Sequence, residues 1–183
     1  MERLVREGGL DGVLDLTTTE MCDHLTGGVM SAGPNRLEAA ARAGIPNVVS
    51  VGATDMTNFG PKATVPERYK HRKLYEHNPM VTLMRTSEAE AREVGALIAA
   101  QLRTHAKRPE LVEVWLPKGG VSVISTPDGP FVDEVADKVL FEAIKKDLAE
   151  SGIAVIEDER DINNEGFALA IAEALASKIF AGR

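Results

Sequence analysis

The 183-residue chain is long enough for one α/β core, and typical domain sizes make two independent cores a poor fit. Its 28 acidic residues outnumber 21 basic ones, and the formal charge of -7 opposes electrostatic binding to nucleic acid or to an anionic membrane. The lone Cys22 excludes an intrachain disulfide, no apolar run reaches the roughly 18 residues that cross a bilayer, and the N-terminus lacks a signal-peptide layout, so a cytoplasmic protein is expected.

Met1 to Gly9 (MERLVREGG) predicts the last turns of a helix with a glycine at its end. A helix in an α/β unit is normally fed by a strand, so the chain is expected to be the C-terminal half of a longer, two-subdomain protein. Gly12 to Leu16 predicts a strand, and Thr17, three residues before Glu20, predicts a capping box that opens a helix. The glycine-rich stretch Thr26 to Pro34 then leads to a short helix capped by Asn35 and stopped at Gly44. Pro46 to Val51 (PNVVSV) reads as a buried, β-branched strand.

Ala53 to Arg85 follows, more than thirty residues without an obvious amphipathic period. It holds Asp55, Asn58, Arg68, His71, His77, Arg85 and both tyrosines, Tyr69 and Tyr75. Long structureless segments are uncommon in compact domains unless they are functional, so a site is expected within this segment or facing it. Near its end, Met80 to Met84 predicts another strand of the main sheet.

Ser87 and Glu90 form a second capping box, opening a helix with apolar positions at Val94, Leu97, Ile98 and Leu102. Leu111 to Leu116 predicts a strand, Pro117 to Gly120 a turn, and Val121 to Ile124 a short extended piece. A helix starting at Asp133, a strand at Ile153 to Ile156 and a helix from Gly166 to Phe180 complete the chain. Strands alternating with helices predict one α/β domain over residues 1–183: a three-layer, Rossmann-like fold with a mostly parallel open sheet and helices on both faces.

Ligands of such sheets collect at the carboxyl ends of the strands. There the sequence offers two chemistries. Arg85, Thr86 and Ser87 at a helix N-terminus, with Asn58 and the Gly119-Gly120 turn, suit a phosphate or carboxylate. Asp15, Glu20 and Asp55 are candidate general acids and bases, or oxygen ligands for a hard cation such as calcium or magnesium. The spacing of Gly27, Gly28 and Gly33 matches neither a P-loop nor a G-x-G-x-x-G fingerprint, and His71 and His77 lack zinc-site spacing, so the identity of any metal stays open.

The motifs LDLTTTE (14–20), AGPNRLEAA (32–40), GIPNVVSVGATDMTNFGP (44–61), VPERYKHRKLYEHNPMVTLMRT (65–86) and INNEGFA (162–168) resemble one family. It is the poorly characterised bacterial and fungal family that shares the ATP-binding, inhibitory domain of the tomato mosaic virus resistance protein, and the chain resembles its second subdomain. The resemblance implies a Rossmann-like subdomain, a missing N-terminal subdomain, self-association into a homo-oligomer such as a dimer, and ATP or a related small-molecule ligand. Two functions are expected: a nucleotide- or phosphate-binding module, which the resemblance favours, or alternatively, from the carboxylates alone, a hydrolase acting on glycosidic bonds, in the manner of an amylase, with a calcium ion.

Overall fold

The computed structural model describes residues 1–181; the last two positions of the expected domain lie outside the described residues. Helix α1 (Glu2–Arg6) leads into strand β1 (Val13–Thr17), helix α2 (Thr19–Thr26), helix α3 (Glu38–Ala43) and strand β2 (Asn47–Gly52). Strands β3 (Met56–Phe59), β4 (Leu74–Asn78) and β5 (Val81–Arg85) come next, then helix α4 (Glu88–His105), strand β6 (Val112–Pro117), helix α5 (Glu134–Leu148), strand β7 (Ala154–Asp158) and helix α6 (Glu165–Ala181).

A parallel four-stranded sheet in the order β1-β2-β6-β7 forms the middle layer, with helices against both of its faces. Alternation along the strands decides which residues meet which layer. On one face Val48, Leu14, Leu16 and Trp115 pack against Phe167, Ile171 and Leu175 of α6. On the other, Val49, Val51, Val114 and Leu116 meet α2, α4 and α5 through Met21, Val94, Ile98, Leu140 and Ile144. Helices α4 and α5 approach closely because position 95 is glycine; a Cβ there would stand 2.7 Å from the Leu140 carbonyl oxygen. Helix α1 covers the end of this layer, where Val5 packs with Val13, Ala39 and Ala40.

The segment 53–85 corrects one expectation. Met80 to Met84 does not join the parallel sheet: as β5 it sits between β3 and β4 in a separate antiparallel sheet of order β3-β5-β4. The apparent loop is therefore ordered structure. Strand β4 (LYEHN) is almost wholly exposed and β3 (MTNF) is wholly buried, so neither shows the alternation that marks a half-buried strand. Small clusters hold this sheet: Phe59, Val65 and Met84 beside Tyr69, and Met56 and Leu83 beside Phe131.

Two of the expected caps are also corrected. Helix α2 starts after Thr18 without a side-chain cap, because Thr18 Oγ1 donates to Ser50 O at 3.2 Å and Thr19 Oγ1 to Met56 O at 3.3 Å. Helix α3 starts after Leu37, not Asn35, and its free amides are met from a distance: Glu2 accepts Leu37 N at 2.9 Å and Ala39 N at 2.8 Å. The Ser87–Glu90 capping box and the Asp133 cap of α5 form as the spacing predicts. Val121 to Ile124, expected to be extended, folds into turns.

Candidate functional site

The strand ends of the parallel sheet are bridged by a buried polar network that begins where β2 stops. Ala53 turns the chain with a left-handed φ of 57° and donates its amide to Val121 O at 2.8 Å, and this reversal puts Asp55 beneath the loop that follows β6. Asp55 is 1 % exposed. Its Oδ2 accepts a hydrogen bond from Ser122 Oγ at 2.8 Å, while Oδ1 has no partner among the described residues. Burial pushes its carboxyl up to about 6, against the lowering pull of the Ser122 bond and of Arg85.

Arg85 lies alongside, at the end of β5. Its Nη2 donates to Asp137 Oδ1 at 2.6 Å and to Asp133 O at 3.2 Å, and its Nη1 to Thr86 Oγ1 at 3.1 Å. Thr86 Oγ1 in turn donates to Thr54 O at 3.1 Å. Arg85 Nε is buried without a partner among the described residues. Burial raises the Asp137 carboxyl, opposed by Arg85.

A cavity of about 460 Å³ opens against this network, between the loop after β6 and the first turns of α5. Ser125 and Asp137 face it from the network; Phe141 and Val132 give it an apolar side, and Lys118 and Lys138 its two cations. Ser122 and Ser125 are locked together in one turn, where Ser122 N donates to Ser125 Oγ at 3.0 Å and Ile124 N to Ser122 Oγ at 3.2 Å.

The residues expected from sequence do not gather in one place. Asp55, Arg85 and Thr86 meet in the network behind the cavity, and Gly119 and Gly120 line the cavity itself. Both glycine amides are already engaged, Gly119 N with Arg160 O and Gly120 N with Pro117 O. A Cβ at Gly119 would come within 2.6 Å of Asp161 N, so that glycine serves close packing of two loops. Ser87 is the N-cap of α4, with its amide donating to Glu90 Oε2 at 2.7 Å. Asn58 is on β3 and ties it to α2, donating Nδ2 to Thr19 Oγ1 at 2.9 Å and to Asp23 Oδ1 at 3.2 Å.

Asp15 and Glu20 lie elsewhere, around Arg36. Arg36 Nη2 is 2.6 Å from Asp15 Oδ1 and its Nε 3.7 Å from Glu20 Oε1, with Glu2 as a third carboxylate at 3.4 Å. Burial raises the Asp15 carboxyl even beside this guanidinium. Asp23 is also internal: it accepts Met30 N at 2.7 Å and Asn58 N at 2.8 Å, stitching the glycine-rich loop to β3. Cys22 is fully buried with its thiol pushed well up by burial, which keeps it protonated. Among the described residues no group of three or more His, Cys, Asp or Glu side chains is arranged to hold a metal ion.

Sequence reasoning missed Asp137 and Ser125. An aspartate one turn into an amphipathic helix reads like any solvated acid, and only the approach of Arg85, 52 positions away, gives it a partner.

The model of the uncharacterised protein family UPF0261, C-terminal domain, matches residues 1–179. The chain belongs to this family. A UPF0261 protein of Clostridium tetani is 47% identical over 175 residues, covering 96% of this chain and 43% of the relative; one of Mesorhizobium japonicum is 47% identical, covering 94% and 43%. The chain thus spans less than half the length of these curated UPF0261 relatives. The ToMV resistance protein Tm-1(GCR237) of tomato, Solanum lycopersicum, is 46% identical over 140 residues, 76% of this chain and 18% of that protein. No helix among the described residues is long and apolar enough to cross a membrane.

Proposed function

We propose that the chain is a ligand-binding module of a larger UPF0261 protein, and that it takes a nucleotide in the cavity between the loop after β6 and α5. The observation that carries this reading is the cavity's position at the carboxyl ends of parallel strands, with Ser125 and Asp137 exposed to it from a buried network. Its volume of about 460 Å³ suits a small molecule.

The charge of the lining restricts how a nucleotide enters. Lys118 and Lys138 face Glu134, Asp137, Glu142 and Glu157, so the walls carry more acid than base. A bare polyphosphate is repelled there, and its magnesium complex, with part of that charge cancelled, is repelled less; the carboxylates meet the water shell of the cation and Lys138 meets phosphate oxygens. The hydrolase reading has less behind it. Asp15 and Glu20 are engaged by Arg36, and Asp55 is closed off from solvent.

The test is calorimetric titration and thermal shift of the purified chain with ADP and ATP, each with and without magnesium. Binding restricted to the native state must raise stability, by about 2.7 kcal/mol at a hundredfold excess over Kd. A shift with magnesium-nucleotide that Lys138→Glu weakens supports the reading. No heat and no shift at millimolar nucleotide, in this chain and in a full-length relative, ends it.

A further inference from the structure

We infer that the inner end of this cavity, at Ser125 and Asp137, is a subsite for a hydroxyl-rich group, a vicinal diol such as that of ribose, and that it turns phosphate away. The inference rests on the nucleotide reading and specifies which end of the ligand goes in first.

Ser122 Oγ gives its proton to Asp55 Oδ2, 2.8 Å away, so toward its other neighbours it acts as an acceptor. Ser125 Oγ accepts the Ser122 amide at 3.0 Å and donates its own proton to Ser122 O at 3.3 Å. Its hydrogen therefore points inward, away from the cavity, and a lone pair remains for a ligand. The buried carboxylate of Asp55, by taking the Ser122 proton at the shorter distance, keeps that hydroxyl from using the lone pair of Ser125.

Asp137 lines the cavity with the same polarity. Arg85 occupies its Oδ1, leaving Oδ2 as an acceptor, and Glu134 and Glu142 add negative charge along the same helix. Nor do the glycines supply donors, because Gly119 N and Gly120 N are bonded to Arg160 O and Pro117 O. A floor made of acceptors repels an all-acceptor anion and matches a group that donates. A carboxylate that takes hydrogen bonds from ribose hydroxyls is a recurring device in dinucleotide folds. Phe141 and Val132 offer an apolar wall to the C–H edge of such a sugar, and exposed Lys138, beside a Lys118 that is ion-paired with Glu159, leaves phosphate for the mouth.

The experiment is a titration series on the purified chain: magnesium-ATP, adenosine, 2′,3′-dideoxyadenosine, D-ribose and inorganic phosphate, repeated with Ser125→Ala and, for a cavity residue without a structural bond to Arg85, Glu134→Gln. The inference expects adenosine to bind, dideoxyadenosine to bind at least about tenfold more weakly, and inorganic phosphate not to compete with adenosine. Ser125→Ala is expected to reduce the ratio between adenosine and its dideoxy analogue. Equal binding of adenosine and dideoxyadenosine, or displacement of adenosine by phosphate, overturns the inference while leaving a nucleotide site. Stabilisation by D-ribose without any response to nucleotide supports the diol subsite and removes the nucleotide reading. No response to any of the five overturns both.

Discussion

Arg85 Nη2 and Asp137 Oδ1 are 2.6 Å apart, and this pair joins the end of β5 to the first turns of α5. Through it the antiparallel sheet is held to the helix that forms one wall of the cavity. Arg85 is 5 % exposed and cannot lose its charge, so its partner matters more than the pair does. Asp137→Ala is expected to lower stability by about 3 kcal/mol, because it strands a buried guanidinium. Arg85→Met combined with Asp137→Leu is expected to recover most of that loss. Urea denaturation of Asp137→Leu, Arg85→Met and their double measures this, and additive losses in the double would show that the pair is not coupled.

Asp55 makes stability depend on pH in an unusual direction. Its folded-state carboxyl, at about 6, is above the ordinary 3.8, so the folded protein holds this proton more tightly than the unfolded chain does. Stability from this group is complete below pH 4 and is lost as pH rises through 6. The ionised form costs about 3 kcal/mol at neutral pH. Asp55→Asn, which keeps an acceptor for Ser122, is expected to be more stable than the parent at pH 7.5 by up to about 3 kcal/mol. The difference should shrink toward zero at pH 4. Denaturation curves at the two pH values decide it, and a constant difference refutes the assignment.

Glu2 is expected to matter far from its own helix. It accepts two amides at the start of α3 and pairs with Arg36 at 3.4 Å. Glu2→Ala should cost about 1–2 kcal/mol, the range of a lost helix cap. Hydrogen exchange should show the Leu37 and Ala39 amides losing protection before the amides of α4. Unchanged exchange at both positions would mean that water replaces the carboxylate without penalty.

Gly28 is required by space. A Cβ at this position would stand 2.3 Å from Asp23 Cγ, and Asp23 is held by the Met30 and Asn58 amides and cannot swing aside. Gly28→Ala is expected to destabilise by about 1–3 kcal/mol, the usual cost of overpacking. Gly33→Ala has no atom within 4 Å of the new carbon, although its φ of 81° adds backbone strain. It is expected to be the milder change in a thermal melt; the reverse order would overturn the steric account of Gly28.

Much of the scaffold was legible because its signals are local. PNVVSV is β-branched and all of it but Pro46 lies in the buried strand β2, and Ser87 with Glu90 form the capping box that their spacing predicts. Other caps were not legible from spacing, since Thr18 and Thr19 hydroxyls are drawn to Ser50 O and Met56 O, carbonyls more than thirty residues away. The strands β3 and β4 escaped because one is buried throughout and the other exposed at all but its first residue.

The candidate site shows the same division. Composition and the order of elements determined an α/β domain with a parallel sheet, and motif similarity determined the family. Asp55 and Arg85 were already conspicuous as charged residues at strand ends. Only the tertiary structure decided that Asp55 is sealed against Ser122, that Arg85 reaches across to Asp137, and that Asp15 and Glu20 belong to Arg36 instead. The physical reason is range: helix and strand patterns follow from neighbours a few residues apart, whereas the charge state and hydrogen bonds of a buried side chain depend on which distant segments the packing brings against it.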